Sequence, residues 1–119
     1  MARILIVDDS AVSRKKLRAV IQSAHHEIVG EACGGAEASK KYEELKPELV
    51  TMDITMPDID GIAVLKKIIE GHPDAKVVMI TALGKADKIL EALNAGARNY
   101  ITKPYEDDQI IRAINEALE

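Results

Sequence analysis

Leu49-Val50-Thr51-Met52-Asp53-Ile54-Thr55-Met56-Pro57-Asp58-Ile59-Asp60-Gly61 carries the deciding signal of this chain: an apolar run ends in one carboxylate, and a Pro/Asp/Gly-rich turn follows at once. Strand propensity delivers the chain to Asp53, and Pro57 and Gly61 stop the strand from continuing. Asp53 is therefore expected at the C-terminal tip of a strand. In open α/β sheets that edge faces the crevice where ligands bind.

The same alternation of short apolar runs and helical periodicity extends in both directions. Upstream, Ile4 to Val7 is too short for a helix and suits a strand buried on both faces, ending in Asp8-Asp9-Ser10. From Ala11, residues Leu17, Val20, Ile21 and Ala24 recur at helical spacing, with Arg14 to Arg18 expected on a solvated face. Glu27 to Cys33 reads as a weaker, edge strand, broken by Gly34-Gly35. A helix follows over Ala36 to Leu45, with Ala38, Tyr42 and Leu45 on one face and Pro47 just past its end.

Downstream of the central strand (Glu48 to Met52), a helix starts near Gly61, buries Leu65, Ile68 and Ile69, and closes before Gly71. Lys76 to Ile80 is the fourth strand, ending in Thr81-Ala82. The next helix carries Ile89, Leu90 and Leu93 and stops at Gly96. Asn99 to Thr102 is a short fifth strand ending at Lys103-Pro104. The last helix bears Ile110, Ile111, Ile114 and Leu118 in one stripe. Repeated βα units give a parallel sheet covered on both faces. The most apolar strands, the first, third and fourth, belong in its middle. The expected fold is a single flavodoxin-like (βα)5 domain over residues 1–119, with strand order 2-1-3-4-5.

Composition narrows the function. The chain has 119 residues, 47% of them hydrophobic, with no Phe or Trp, so its core must be close-packed Ile, Val, Leu and Ala. A net charge of -4 argues against nonspecific nucleic-acid binding, which needs a basic surface. Cys33 is the single cysteine; it excludes an internal disulfide and reads as a small residue in or near the core. The His25-His26 pair lacks the spacing of a metal site. No apolar run approaches a membrane span and no signal-peptide layout opens the chain, which leads to an expectation of a cytoplasmic protein.

In the expected strand order, Asp8 and Asp9 meet Asp53 at one switch point. Alone, three carboxylates would repel one another; a divalent cation removes the penalty, and an all-oxygen donor set beside phosphate chemistry points to Mg²⁺. Lys103 arrives as a point charge for an anionic oxygen, and Thr81 adds a hydroxyl. Asp53, alone at its strand tip, reads as a phosphoryl acceptor, and the Asp8-Asp9 pair as metal ligands.

Val7-Asp8-Asp9-Ser10, Met52-Asp53 with Met56-Pro57 and Asp60-Gly61, Thr81-Ala82, and Gly96-Ala97 with Tyr100 and Lys103-Pro104 follow in order at the strand ends. Over essentially its whole length the chain thus resembles the response-regulator receiver family, and within it the stand-alone chemotaxis regulators. The resemblance implies that a histidine kinase phosphorylates Asp53. It implies Mg²⁺ held by Asp9 directly, by Asp8 largely through water, and by Asp53 and the Thr55 backbone carbonyl. It implies phosphoryl contacts from Lys103 and Thr81, and a cis Lys103-Pro104 bond. Tyr100 would be the aromatic that turns inward as Thr81 moves, re-contouring a face of the fourth helix, fifth strand and fifth helix. Plain half-buried packing is the competing reading of Tyr100.

A motor-switch or adaptor protein would read that face, in control of a flagellar or archaellar motor. The implied protein is a monomer without output domain, and not an enzyme beyond its own phosphorylation and slow dephosphorylation. Leu83 and Thr55 occupy positions where the family tunes phosphate loss, and a bulky Leu83 implies a long-lived phosphate. The alternatives are a receiver of another two-component or phosphorelay pathway, or a receiver-shaped interaction module that takes no phosphate. A haloacid-dehalogenase-type phosphatase needs a second acid two residues past Asp53, where Thr55 stands. In a flavodoxin, Asp8-Asp9 would repel the flavin phosphate.

Overall fold

Short runs of Ile, Val and Leu form the strands, and each is closed by a polar tip or turn residue. The structure is a computed structural model that describes residues 1–119. In chain order the elements are β1 (Arg3–Val7), α1 (Ala11–Ser23), β2 (Glu27–Ala32), α2 (Gly35–Leu45) and β3 (Leu49–Met52). Then come α3 (Gly61–Gly71), β4 (Val77–Thr81), α4 (Ala86–Asn94), β5 (Asn99–Thr102) and α5 (Asp107–Leu118). All neighbouring strands pair in parallel, in the order β2-β1-β3-β4-β5, as the apolar ranking of the strands requires.

Because side chains alternate along a strand, the sheet feeds two separate cores. Leu5, Val7, Val50, Met52, Val77 and Met79 face one side, under Tyr42 of α2, Leu65 of α3 and Ala92 of α4. Ile4, Ile6, Leu49, Val78 and Ile80 face the other, under Leu17 and Ile21 of α1 and Ile110 and Ile114 of α5. Each fully buried Leu or Ile contributes roughly 1.5–3 kcal/mol by leaving water. The sheet, clamped between these layers, holds the strand tips in place.

Several details differ from the sequence reading. On α4 the buried residue is Ala92, while Leu90 is 60% and Leu93 43% exposed. The apolar stripe of that helix thus lies outward. On α5 the inner positions are Ile110, Ala113, Ile114 and Ala117; Ile111 and Leu118 lie at the margin. Cys33 is exposed, not packed near the core, because it falls in the turn after β2. Arg14 and Arg18 are no free solvated face: both pair with Glu31 of β2, with Arg14 Nε at 3.1 Å, and the Arg18 bond leads in holding the Glu31 carboxyl below its usual range.

Helix α2 begins at Gly35, one residue earlier than expected, and no side chain of its own start caps it. The cap comes from the β3–α3 loop instead: Asp58 accepts from the Gly35 and Ala36 N–H groups at 2.8 and 3.0 Å. These are two of the orphan donors that every helix start must satisfy. The N–H groups of Ala36, Gly35 and Ile59 pull the Asp58 pKa down to about 2. A depressed folded-state pKa means that the tie is intact above the ordinary carboxylate value of about 4 and is lost as pH falls through about 2. In Asp58→Ala, amide exchange at Gly35 and Ala36 is expected to quicken at neutral pH, with β4 amides unchanged. Wild type should lose the same protection only on acidification through that window. Full protection in Asp58→Ala would show that the tie contributes nothing.

Candidate functional site at the carboxyl edge of the sheet

Backbone bonds bring the strand tips into register before any side chain acts. The Asp53 N–H donates to the Val7 carbonyl at 3.0 Å, and the Lys103 N–H to the Thr81 carbonyl at 2.8 Å. Asp8, Asp53 and Thr81 are buried, at 1%, 6% and 0% exposure, whereas Asp9 is exposed. One carboxylate oxygen from each of Asp8, Asp9 and Asp53 lies within 4.8 Å of the others. Lys103 Nζ spans the cluster, 2.7 Å from Asp8 Oδ2 and 3.2 Å from Asp53 Oδ2. Burial works against the Lys103 charge, but the Asp8 hydrogen bond and the Asp53 charge outweigh it and raise its pKa.

Of the residues expected at the site, then, Asp8, Asp9, Asp53 and Lys103 stand together. The Thr81 hydroxyl accepts from the Leu83 N–H at 3.3 Å, within its own loop. Thr55 is exposed, and its N–H donates to Asp53 Oδ1 at 3.3 Å. The Lys103-Pro104 peptide is cis. Tyr100 is half-buried against the first core, and its hydroxyl donates to the Leu83 carbonyl. Burial first, then the charges of Asp53 and Asp60, push its phenol pKa up. The Leu83 side chain also packs against that core.

Some contributors were not singled out from the sequence. The Leu83 backbone joins Thr81 on one side to Tyr100 on the other. Ser13 and Arg14 both reach Asp8, the serine at a carboxylate oxygen and the arginine at the backbone carbonyl. Tyr105 is buried in the second core, with Lys16 Nζ 4.7 Å from its ring centroid. The signal for Ser13 and Arg14 lay in their place five and six residues after Asp8, at the start of α1. The sequence points to Leu83 for its side chain only; its peptide link, made by backbone atoms, has no local sequence signal. The His25-His26 pair is structural at His26, whose Nδ1 takes the Ala2 N–H at 2.9 Å.

The donor set is all carboxylate, three negative groups against one ammonium, which fits a hard divalent cation and leaves no nitrogen or sulfur for a softer one. Two buried acids with an exposed third beside them, an ammonium and a buried hydroxyl thus meet at the tips of a parallel sheet ordered 2-1-3-4-5. The sequence pattern described as the response regulator receiver domain matches residues 4–115, and the chain belongs to that family, the receiver domains of two-component signalling. It is 45% identical to the chemotaxis protein CheY of Thermotoga maritima over 114 residues, 96% of this chain and 95% of that one. To CheY of Bacillus subtilis it is 44% identical over 116 residues, 98% of this chain and 97% of the other. Among solved structures, the CheX-CheY-BeF3-Mg²⁺ complex from Borrelia burgdorferi is similar, with a TM-score of 0.95 and 36% identity. The match covers 98% of this chain and 89% of that one.

Gly61 sets the depth of Asp53. A Cβ built there would lie 1.9 Å from the Asp53 carbonyl oxygen and 2.8 Å from the Ile54 Cα, both backbone atoms that cannot step aside. Gly61→Ala is expected to cost about 2 kcal/mol or more, as overpacking does. It should also shift the Asp53 and Ile54 amide resonances well beyond those of distant strands. A variant with wild-type melting and an unmoved Asp53 amide would contradict the close approach.

Proposed function

We propose that Asp53 accepts a phosphoryl group from a histidine kinase in a Mg²⁺-dependent reaction, and that this switches a partner-binding face. The carrying observation is the cluster of Asp8, Asp9 and Asp53 within 4.8 Å, with Lys103 bridging two of them. An Asp53 oxygen attacks phosphorus, the phosphorus–nitrogen bond of phosphohistidine breaks, and the imidazole nitrogen keeps the electron pair. Asp8, Asp9, Asp53 and the Thr55 carbonyl would hold the Mg²⁺ that the donor set fits. Bound there, the ion supplies charge neutralisation for carboxylate and phosphoryl oxygens.

Lys103 exchanges its Asp53 bond for a phosphoryl oxygen, and the Thr81 hydroxyl turns from the Leu83 N–H toward another. A phosphoryl group adds about −1.5 to −2 charge and three acceptor oxygens, enough to bias both movements. Since the Leu83 carbonyl holds Tyr100, the change at Thr81 passes to the aromatic and to the face of α4, β5 and α5. The outward Leu90 and Leu93 give that face an apolar surface for a partner.

The identity to two chemotaxis proteins over nearly full length supports an output at a motor-switch or adaptor protein, in control of a flagellar or archaellar motor. In this reading the receiver acts as a monomeric, cytoplasmic regulator, with no turnover of an external substrate.

Intact-mass spectrometry after incubation with acetyl phosphate and Mg²⁺ tests the acceptor. One phosphoryl adduct is expected in wild type, and none in Asp53→Ala or in EDTA. An adduct that survives Asp53→Ala would move the acceptor elsewhere, and no adduct in wild type would sink the phosphoswitch. Leu83→Ala is expected to shorten the life of the adduct severalfold, followed by the same mass measurement over time. An unchanged lifetime would deny Leu83 any role in shielding the phosphate.

A further inference from the structure

Asp8 is the most enclosed carboxylate of the crevice, and three donors converge on it. The Ser10 N–H reaches Oδ1 at 2.9 Å. The Ser13 hydroxyl and Lys103 Nζ share Oδ2, at 2.6 and 2.7 Å. Arg14 Nη1 fixes the Asp8 backbone by donating to its carbonyl at 2.6 Å. These donors differ in kind. The Ser10 amide is part of the turn, and Lys103 is divided between Asp8 and Asp53. Only the Ser13 hydroxyl is a side-chain donor committed to Asp8 alone.

Ser13 has no competing duty in its helix. A serine in a first turn usually serves the backbone nearby. Here Ser10 is the N-cap and already accepts the Ser13 N–H at 3.2 Å, which leaves the Ser13 hydroxyl free to point back across the turn.

We propose that Ser13 is a positioning residue: its hydroxyl holds the Asp8 carboxylate in one orientation, and that orientation sets the Mg²⁺ affinity of the crevice. The inference rests on Asp8 being a metal ligand, as read above. Lys103 divides its ammonium between Asp8 and Asp53, so Ser13 is the one side-chain donor on Asp8 Oδ2 that no other acid shares. Without Ser13, Asp8 Oδ2 is left to Lys103 alone, the carboxylate is less firmly held about its broad terminal torsion, and metal binding must order it. Loss of such an outer hydrogen bond typically weakens metal binding about 10–100-fold. One neutral donor among several sets the expectation at the lower end, about tenfold.

The test is isothermal titration of the full, unphosphorylated chain with Mg²⁺ for wild type, Ser13→Ala, and the isosteric pair Ser13→Thr and Ser13→Val. Melting in EDTA is measured alongside. Ser13→Ala and Ser13→Val are expected to weaken binding about tenfold, and Ser13→Thr, which keeps the hydroxyl, by less than about twofold. Equal affinity in wild type, Ser13→Ala and Ser13→Val would overturn the proposal. So would equal weakening by Thr and Val, or weakening that merely follows a loss of melting temperature. A wild type that binds no Mg²⁺ would overturn both this inference and the reading of the crevice beneath it. Wild-type binding that Ser13 variants share overturns the inference alone.

Discussion

Lys103 reaches across 95 positions of sequence to place its ammonium 2.7 Å from Asp8 and 3.2 Å from Asp53. Two nearly buried carboxylates and a third beside them cannot share one crevice without positive charge. The sheet order makes that meeting possible. It sets β1 against β3, so that Asp8 and Asp53 are neighbours, and brings β4 and β5 alongside to deliver Thr81 and Lys103. The two apolar layers, Ile, Leu, Val and Met with no Phe or Trp, fix these tips by burying both faces of every central strand.

Around the crevice, backbone groups do much of the joining. Thr81 and Tyr100 do not touch each other through hydrogen bonds. The Leu83 peptide lies between them, giving its N–H to one and its carbonyl to the other. A short chain of this kind has discrete alternatives, because each group must exchange one partner for another and cannot drift. Such a chain suits a two-state element better than a graded one. Its far end lies at β5, against which α4 packs.

The β3–α3 loop is held from outside in two ways. Asp58 ties it to the start of α2, and Gly61 lets α3 begin against the Asp53 carbonyl with no side chain between. The β3–α3 loop is thus tied through Asp58 to a different helix from the one it leads into.

The sequence alone determined the element order, the strand ranking and hence the 2-1-3-4-5 sheet, because periodicity and breaker residues are local signals and the crossover rule leaves few topologies. It also determined that Asp8, Asp9, Asp53, Thr81 and Lys103 fall at strand tips. Only the tertiary structure decided which of them touch. Lys103 joins Asp8 and Asp53, while Thr81 bonds into its own loop. It likewise decided that Cys33 is exposed, that Arg14 and Arg18 grip Glu31, and that α4 turns Leu90 and Leu93 outward. A helical stripe says that a face is apolar, not which neighbour covers it. The Asp58 cap, the Leu83 link and the Ser13 bond are contacts set by register and loop path at the ångström scale. No pattern within a single element carries that information.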